Sequence, residues 1–151
     1  MGFVYRFSKL LEHRRQQLRE AQVDLARAVE QAAEVEKILA STEKTLESCR
    51  LRWQQRTREG LPLGEHLAYE RYLLDLEHRL LKLKTARDHA WQLVQEKQKR
   101  LVERDREVKK LERLQEVDYE KFRKDQKKRE QKKLDELGAR TDVDTCGEGL
   151  S

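Results

Sequence analysis

The chain has 151 residues, of which 42% are charged and only 36% hydrophobic, with one proline, two cysteines and a net charge of +5. A compact sphere of this length buries about 68–70% of the surface its unfolded chain exposes, and the apolar residues here are too few for that, which also removes the walls of an enclosed catalytic pocket. The remaining choices are disorder, with apolar residues scattered without period, or a fold that buries a narrow seam.

The opening, Met1 to Arg6, has no apolar core of signal-peptide length. No run approaches the ~20 apolar residues that span a bilayer. Cys49 and Cys146 are far apart and have no Cys or His neighbours at metal spacing. Reduced thiols and a cytosolic setting are expected.

The first long segment reads as a helix over about 4–58. Alternate steps of three and four from Val4 visit Phe7, Leu11, Arg14, Leu18, Ala21 and so on to Leu46, Cys49 and Trp53. Thirteen of these fifteen positions are apolar, and Arg14 and Thr42 are the exceptions. Seven unbroken heptads are the signature of a coiled-coil seam. The residues between are mostly Glu, Arg, Gln and Lys, which favour helix and keep its outer face wet. Ser8 is placed to cap the helix start.

The pattern stops at Gly60-Leu61-Pro62-Leu63-Gly64. Gly60 suits a left-handed helix cap and Pro62 cannot continue a helix. The turn is placed at 59–65. So short a connection between two long helices makes them antiparallel neighbours.

The second segment is expected to be helical over about 66–137. Its seam runs through Tyr69, Leu73, Leu76, Leu80 and Leu83 to Val108 and Leu111, with Arg87, Lys97 and Arg104 as polar insertions. After Leu111 a register shift is expected, with Leu114, Val117 or Asp118, and Phe122 as candidates. Gly138 should end the helix and leave 138–151 as a flexible tail. The fold class is therefore all-α, a long antiparallel two-helix coiled coil, in one domain over 1–137.

Folding the chain at residue 62 makes partner numbers add to roughly 124. Trp91 then meets Ala32 and Ala33, and Trp53 falls near Tyr69 and Tyr72. Residue 4 pairs with about 120, so Lys121 to Leu137 overhangs without a partner. From Lys121 to Arg140 there are nine basic and four acidic residues. A helix that is polar round most of its circumference has little support unless something surrounds it.

No phosphate-loop, dinucleotide-binding or nucleophile-elbow motif occurs. His13, His66, His78 and His89 are unclustered and read as solvated surface histidines, since a metal site needs grouped ligands. Asp135-Glu136 has no concave pocket to shift its ionisation. The basic end can be read as a solvated terminus complementing the helix dipole, or as a segment inserted into an acidic or polar channel. Nucleic-acid binding is a weaker reading, because Asp125, Glu130, Asp135 and Glu136 interrupt the charge and only Tyr119 and Phe122 could stack.

The opening Phe3-Val4-Tyr5-Arg6-Phe7-Ser8-Lys9-Leu10-Leu11 resembles the start of the FliJ family, small coiled-coil components of the bacterial flagellar export apparatus. The resemblance continues through Gly60-Leu61 and Tyr69-Glu70-Arg71-Tyr72-Leu73-Leu74-Asp75-Leu76-Glu77. It is most specific in Leu111-Glu112-Arg113-Leu114, Tyr119 and Glu130-Gln131-Lys132-Lys133-Leu134-Asp135-Glu136-Leu137. It implies a non-enzymatic, cofactor-free monomeric hairpin similar to the two-helix shaft of rotary ATP synthases. Such a protein would sit in the pore of the hexameric flagellar export ATPase, on the cytoplasmic side of the membrane. It would stimulate that ATPase, link it to the membrane export gate and bind export chaperones, with no nucleic acid or small-molecule ligand. The resemblance assigns the ATPase-ring interface to Phe7, Tyr119, Lys121, Phe122, Arg123, Lys124, Lys127, Lys128, Arg129, Lys132, Lys133, Asp135 and Glu136. It assigns the gate interface to Tyr69, Tyr72 and Leu76, faced by Ile38, Thr42, Thr45 and Cys49. The rival readings are the equivalent stalk protein of a virulence type III secretion system, a basic-helix nucleic-acid binder, and a structural coiled coil that dimerises through its seam.

Overall fold

The computed structural model describes residues 2–148, with the side chains of residues 2–142. It contains two helices, α1 (Ser8–Glu59) and α2 (Leu63–Glu148), and no strand among the described residues. Gly60 has φ +92°, the left-handed conformation that lets the chain leave α1, and its N–H donates to the Thr57 carbonyl. The connection is tighter than the expected 59–65. Pro62 stands at the entry to α2, where its carbonyl accepts the N–H groups of Glu65 and His66. Its missing N–H costs nothing at a position whose N–H has no helical partner anyway. At the other helix, Phe7 holds the N-cap position in place of Ser8, its carbonyl accepting the Leu11 N–H at 2.9 Å.

The chain divides into two units. One comprises residues 17–104 and contains the turn. Within it, α1 and α2 run antiparallel. Leu39, Leu46, Cys49, Leu73, Leu76 and Leu80 form one buried cluster, with Trp53, Tyr69 and Leu83 against it. Ala28, Ala32 and Val94 form another, flanked by Leu25 and Ala90. Pairs across the helices have numbers adding to 127 (Glu36–Trp91, Arg50–Glu77) or to 121 (Gln17–Arg104, Arg56–Glu65). These are the two flanks of a seam centred on 124, as the sequence predicts. Trp91 is a correction. It does not fill the space over Ala32 but lies on a flank, 37% exposed, its indole N–H donating to Glu36 Oε1 at 2.8 Å. Val94 and Ala90 pack on the alanines instead. A seam lining of small residues needs only small partners to reach interior packing density.

The other unit comprises residues 1–16 and 105–151. Arg15–Glu112 and Arg14–Glu107 pair α1 with α2 inside this unit, at 3.1 and 3.4 Å. α1 does not begin at residue 4. Phe3 to Phe7 is a non-helical strap, so Val4 is 83% exposed and Tyr5 is 4% exposed, against the expected seam position of Val4. The expected register shift after Leu111 is also absent. Val108, Leu111, Gln115, Asp118 and Phe122 keep the heptad, while Leu114 and Val117 are exposed. Asp118 is tolerated there because Arg6 of the strap lies 3.6 Å away.

Helix α2 continues through Gly138 to Glu148. Gly138 has no positive φ, so it is not a cap. A helix-interior glycine costs about 1 kcal/mol against alanine, which does not by itself terminate a helix, and Thr141 Oγ1 donates back to the Leu137 carbonyl at 2.8 Å, bridging the turn that contains it. Cys146 lies outside the described side chains.

Candidate functional site

Every side chain from Arg123 to Asp142 is exposed, whereas Phe122 is half-buried. The overhang thus begins at the residue where contact with the strap ends. The helical repeat of ~100° per residue divides its charges by face. Lys121, Arg123, Lys124, Lys127, Lys128 and Lys132 share one half of the circumference, with Asp135 and Asp142 as the acidic members. Asp125, Glu130 and Glu136 fall on the other half, beside Arg129, Lys133 and Arg140. Gln131 Nε2 donates to Asp135 Oδ1 at 3.3 Å, which ties up one of that carboxylate's oxygens. Leu134 and Leu137 are exposed as well. This is a basic surface, one-sided and exposed along its described length.

The root of the overhang is aromatic. Phe3 meets Tyr119 edge-on and Phe122 at a tilt, each at 5.4 Å between centroids. Phe7 lies 5.8 Å from Tyr5, with the Arg6 guanidinium 4.7 Å above its ring. The Tyr5 hydroxyl donates to the Leu111 carbonyl at 2.9 Å, a contact across 106 residues. One turn of α2 earlier, Asp105 accepts from the Lys109 ammonium at 2.8 Å and holds that group above its ordinary lysine value. Of the residues assigned to the ring interface, Phe7, Tyr119 and Phe122 are thus gathered at the strap, and the ten from Lys121 to Glu136 lie along the exposed helix.

Sequence reasoning missed Tyr5 and Phe3 as organisers of this end. Aromatics at 3, 5 and 7 alternate with period two, the mark of an extended segment and not of a helix. Tyr5→Phe removes the hydroxyl but leaves the ring. The Leu111 carbonyl keeps its place in the α2 ladder, so the loss should be at the low end of about 0.5–1.5 kcal/mol, read from denaturant unfolding midpoints.

In the turn-containing unit, Tyr72 is 48% exposed. It lines a hollow of about 500 Å³ with Ile38, Thr42, Thr45 and Leu76, whose rim carries Lys37, Arg79 and Glu34. A second hollow joins Tyr69 and Tyr72 to Ser48, Cys49, Lys44 and Arg52. The residues assigned to the gate interface are therefore contiguous with the first-helix positions expected to face them. Leu76 is buried and forms floor, and Tyr69 stacks on Trp53 at 6.2 Å with 7° between planes. His66 is not a solvated histidine. It is half-buried, and its Nδ1 accepts the Trp53 indole N–H at 3.0 Å. Among the described residues no group of three His, Cys, Asp or Glu is placed to hold a metal, and no helix is long and apolar enough to cross a membrane.

A family model described as the flagellar FliJ protein matches residues 3–141. No curated protein and no solved structure matches the chain.

Proposed function

The chain belongs to the flagellar FliJ family, which makes it a component of the flagellar export apparatus, and from that we propose that it is the apparatus's non-enzymatic central shaft and coupling factor. Its unpaired end enters the pore of the hexameric export ATPase and stimulates it. The Tyr72 face of the turn-containing unit reaches the membrane export gate, and export chaperones bind the same protein. The work is done on the cytoplasmic side of the membrane by a monomeric hairpin.

The observation that carries this reading is the fully exposed segment from Arg123 to Asp142, basic on one face. An isolated helix draws most of its stability in a protein from packing, and this one has none of its own. An enclosing channel with carboxylates on its wall would supply both support and charge pairing. The reading is supported by the strap's aromatic cluster at Phe3, Tyr119 and Phe122, beyond which the helix is exposed.

The test compares the two faces. Reversing Lys124, Lys127 and Lys128 to glutamate should reduce stimulation of ATPase turnover at least tenfold, while reversing Arg129, Lys133 and Arg140 on the other half should have a much smaller effect. Stimulation by the unaltered protein should also fall as salt shortens the range of exposed charges to about 8–10 Å and below. Equal stimulation by both triple variants would remove the basic face from the mechanism.

A further inference from the structure

The turn-containing unit carries a second apolar face that neither the seam nor the Tyr72 hollow uses. Leu63, Leu67, Leu74 and Leu81 are 50–75% exposed. At ~100° per residue they fall within about 40° of one another on α2, well round from the buried Leu73, Leu76 and Leu80. Leu67, Leu74 and Leu81 repeat every seven residues, which is coiled-coil spacing, yet no helix of this chain packs on them. Monomers rarely leave ordered apolar surface of this kind uncovered without a use for it.

The surroundings are those of a seat for a helix. Leu67 and Leu74 share a hollow with Gly64, Ala68, Glu70 and Arg71. Leu74 also walls a groove of about 700 Å³ between the two helices, together with Trp53, Leu73, Gln54, Thr57 and Arg58. A third helix laid along the leucines would drop its side chains into both.

The charges around the stripe select the occupant. Glu65 and Glu77 are already bonded to Arg56 and Arg50, each at 3.0 Å, and Asp88 is paired with Arg87. The charges left uncommitted beside the leucines are Arg58, Arg71, Lys82 and Lys84 against Glu70, with Asp75 farther round. A partner with carboxylates on its edges would neutralise that rim. A second copy of the chain would not, because antiparallel packing of two identical helices brings like flank to like flank, Arg71 and Lys82 against the same residues. A lipid surface fits poorly too, since interfacial helices bury a broad apolar face and this stripe is one leucine wide.

We propose that Leu63, Leu67, Leu74 and Leu81 form a docking surface for an acidic amphipathic helix of a partner protein, which completes a three-helix arrangement at the turn-containing unit. The recognition follows helix-in-groove rules, with apolar anchors at heptad spacing and charge setting orientation.

The experiment uses the full chain carrying Trp91→Phe, so that Trp53 in the groove is the sole indole reporter. The probe is a synthetic three-heptad peptide with leucine at the core positions and glutamate on both edges. A lysine-edged peptide of the same core and phosphatidylglycerol vesicles are the controls. Saturable quenching or blue shift of Trp53 by the acidic peptide is expected, with at least tenfold weaker binding of the lysine peptide. Leu67→Glu and Leu74→Glu should each weaken binding at least tenfold. Leu74→Ser should weaken it less, and all three variants should keep the parent's helical circular dichroism. Absence of saturable binding, equal binding of both peptides, or indifference to the leucine variants overturns the proposal. Tighter binding to vesicles, or self-association that Leu74→Glu abolishes, reassigns the face and overturns it as well.

Discussion

Ending the chain after Phe122 should abolish stimulation of the export ATPase while leaving the rest of the fold standing. The two halves of this result rest on different observations. Stability should hardly change, because no side chain from Arg123 to Asp142 is buried, so among the described side chains the truncation removes no packed apolar surface. All of α1, and α2 up to Phe122, remain with their seam, and Phe122 keeps its contact with Phe3. Stimulation should disappear, because the deleted segment is the only stretch of the described chain that combines concentrated positive charge with complete exposure. Circular dichroism and thermal unfolding report the first half, and steady-state ATP turnover with the purified hexamer reports the second. If the truncated protein stimulates as well as the full chain, the ends have been assigned the wrong way round.

The second large effect is on stability. Leu39 is 5% exposed and sits in the cluster with Leu46, Cys49, Leu73, Leu76 and Leu80. Leu39→Ala should destabilise the protein by about 2–5 kcal/mol, the sum of lost transfer energy and an unfilled cavity. The chain has few buried apolar residues, so this is a large share of the total of about 5–15 kcal/mol typical of folded proteins. Leu81→Ala, an identical chemical change on the exposed stripe, should fall within about 0.5 kcal/mol of neutral. Urea denaturation of the two variants side by side makes the comparison. The surface ion pairs should matter less than either, since exposed pairs contribute about 0–1 kcal/mol each.

Most of the seam could be read in the sequence because its period is set by geometry and not by any one residue. Leu11 to Trp53 and Tyr69 to Leu111 all face inward or sit half-buried as expected. Three of the polar members are satisfied where they stand: Arg14 reaches Glu107 and Arg104 reaches Gln17 across the helices, and the Thr42 hydroxyl donates to the Ile38 carbonyl one turn back. Two of the misreadings share a cause, which is that residue character was weighed above geometry. Leu114 and Val117 invited a register shift because they are apolar, yet the helix kept its heptad and left them outside. Number pairing around 124 set Trp91 against Ala32 and Ala33, but its N–H needs an acceptor, and Glu36 on the flank supplies one. Gly138 invited a stop, but a helix continues where nothing competes with it. The strap could not be seen at all by a search for heptads, since an extended segment has no such period.

The basic end of the candidate site was legible as composition, and its one-sidedness follows from the same arithmetic applied to the exposed segment. The Tyr72 face was named by the family resemblance, and Ile38, Thr42 and Thr45 do line a hollow with it. The leucine stripe was not legible, because a heptad of exposed leucines looks like part of a seam until the real seam is known and subtracted.

The strap has a consequence for how the chain comes together. Arg56 and Glu65, beside the turn, are separated by nine residues, whereas Tyr5 and Leu111 are separated by 106. Loop-closure entropy rises with the logarithm of that separation, and each pair formed shortens the loop that the next must close. The hairpin should therefore zip outward from Gly60, and the cost of bringing Tyr5 to Leu111 should fall as the pairs between them are made. On that account the strap should be the last element gained and the first released. A partner that grips this end acts at the place where the fold yields most cheaply.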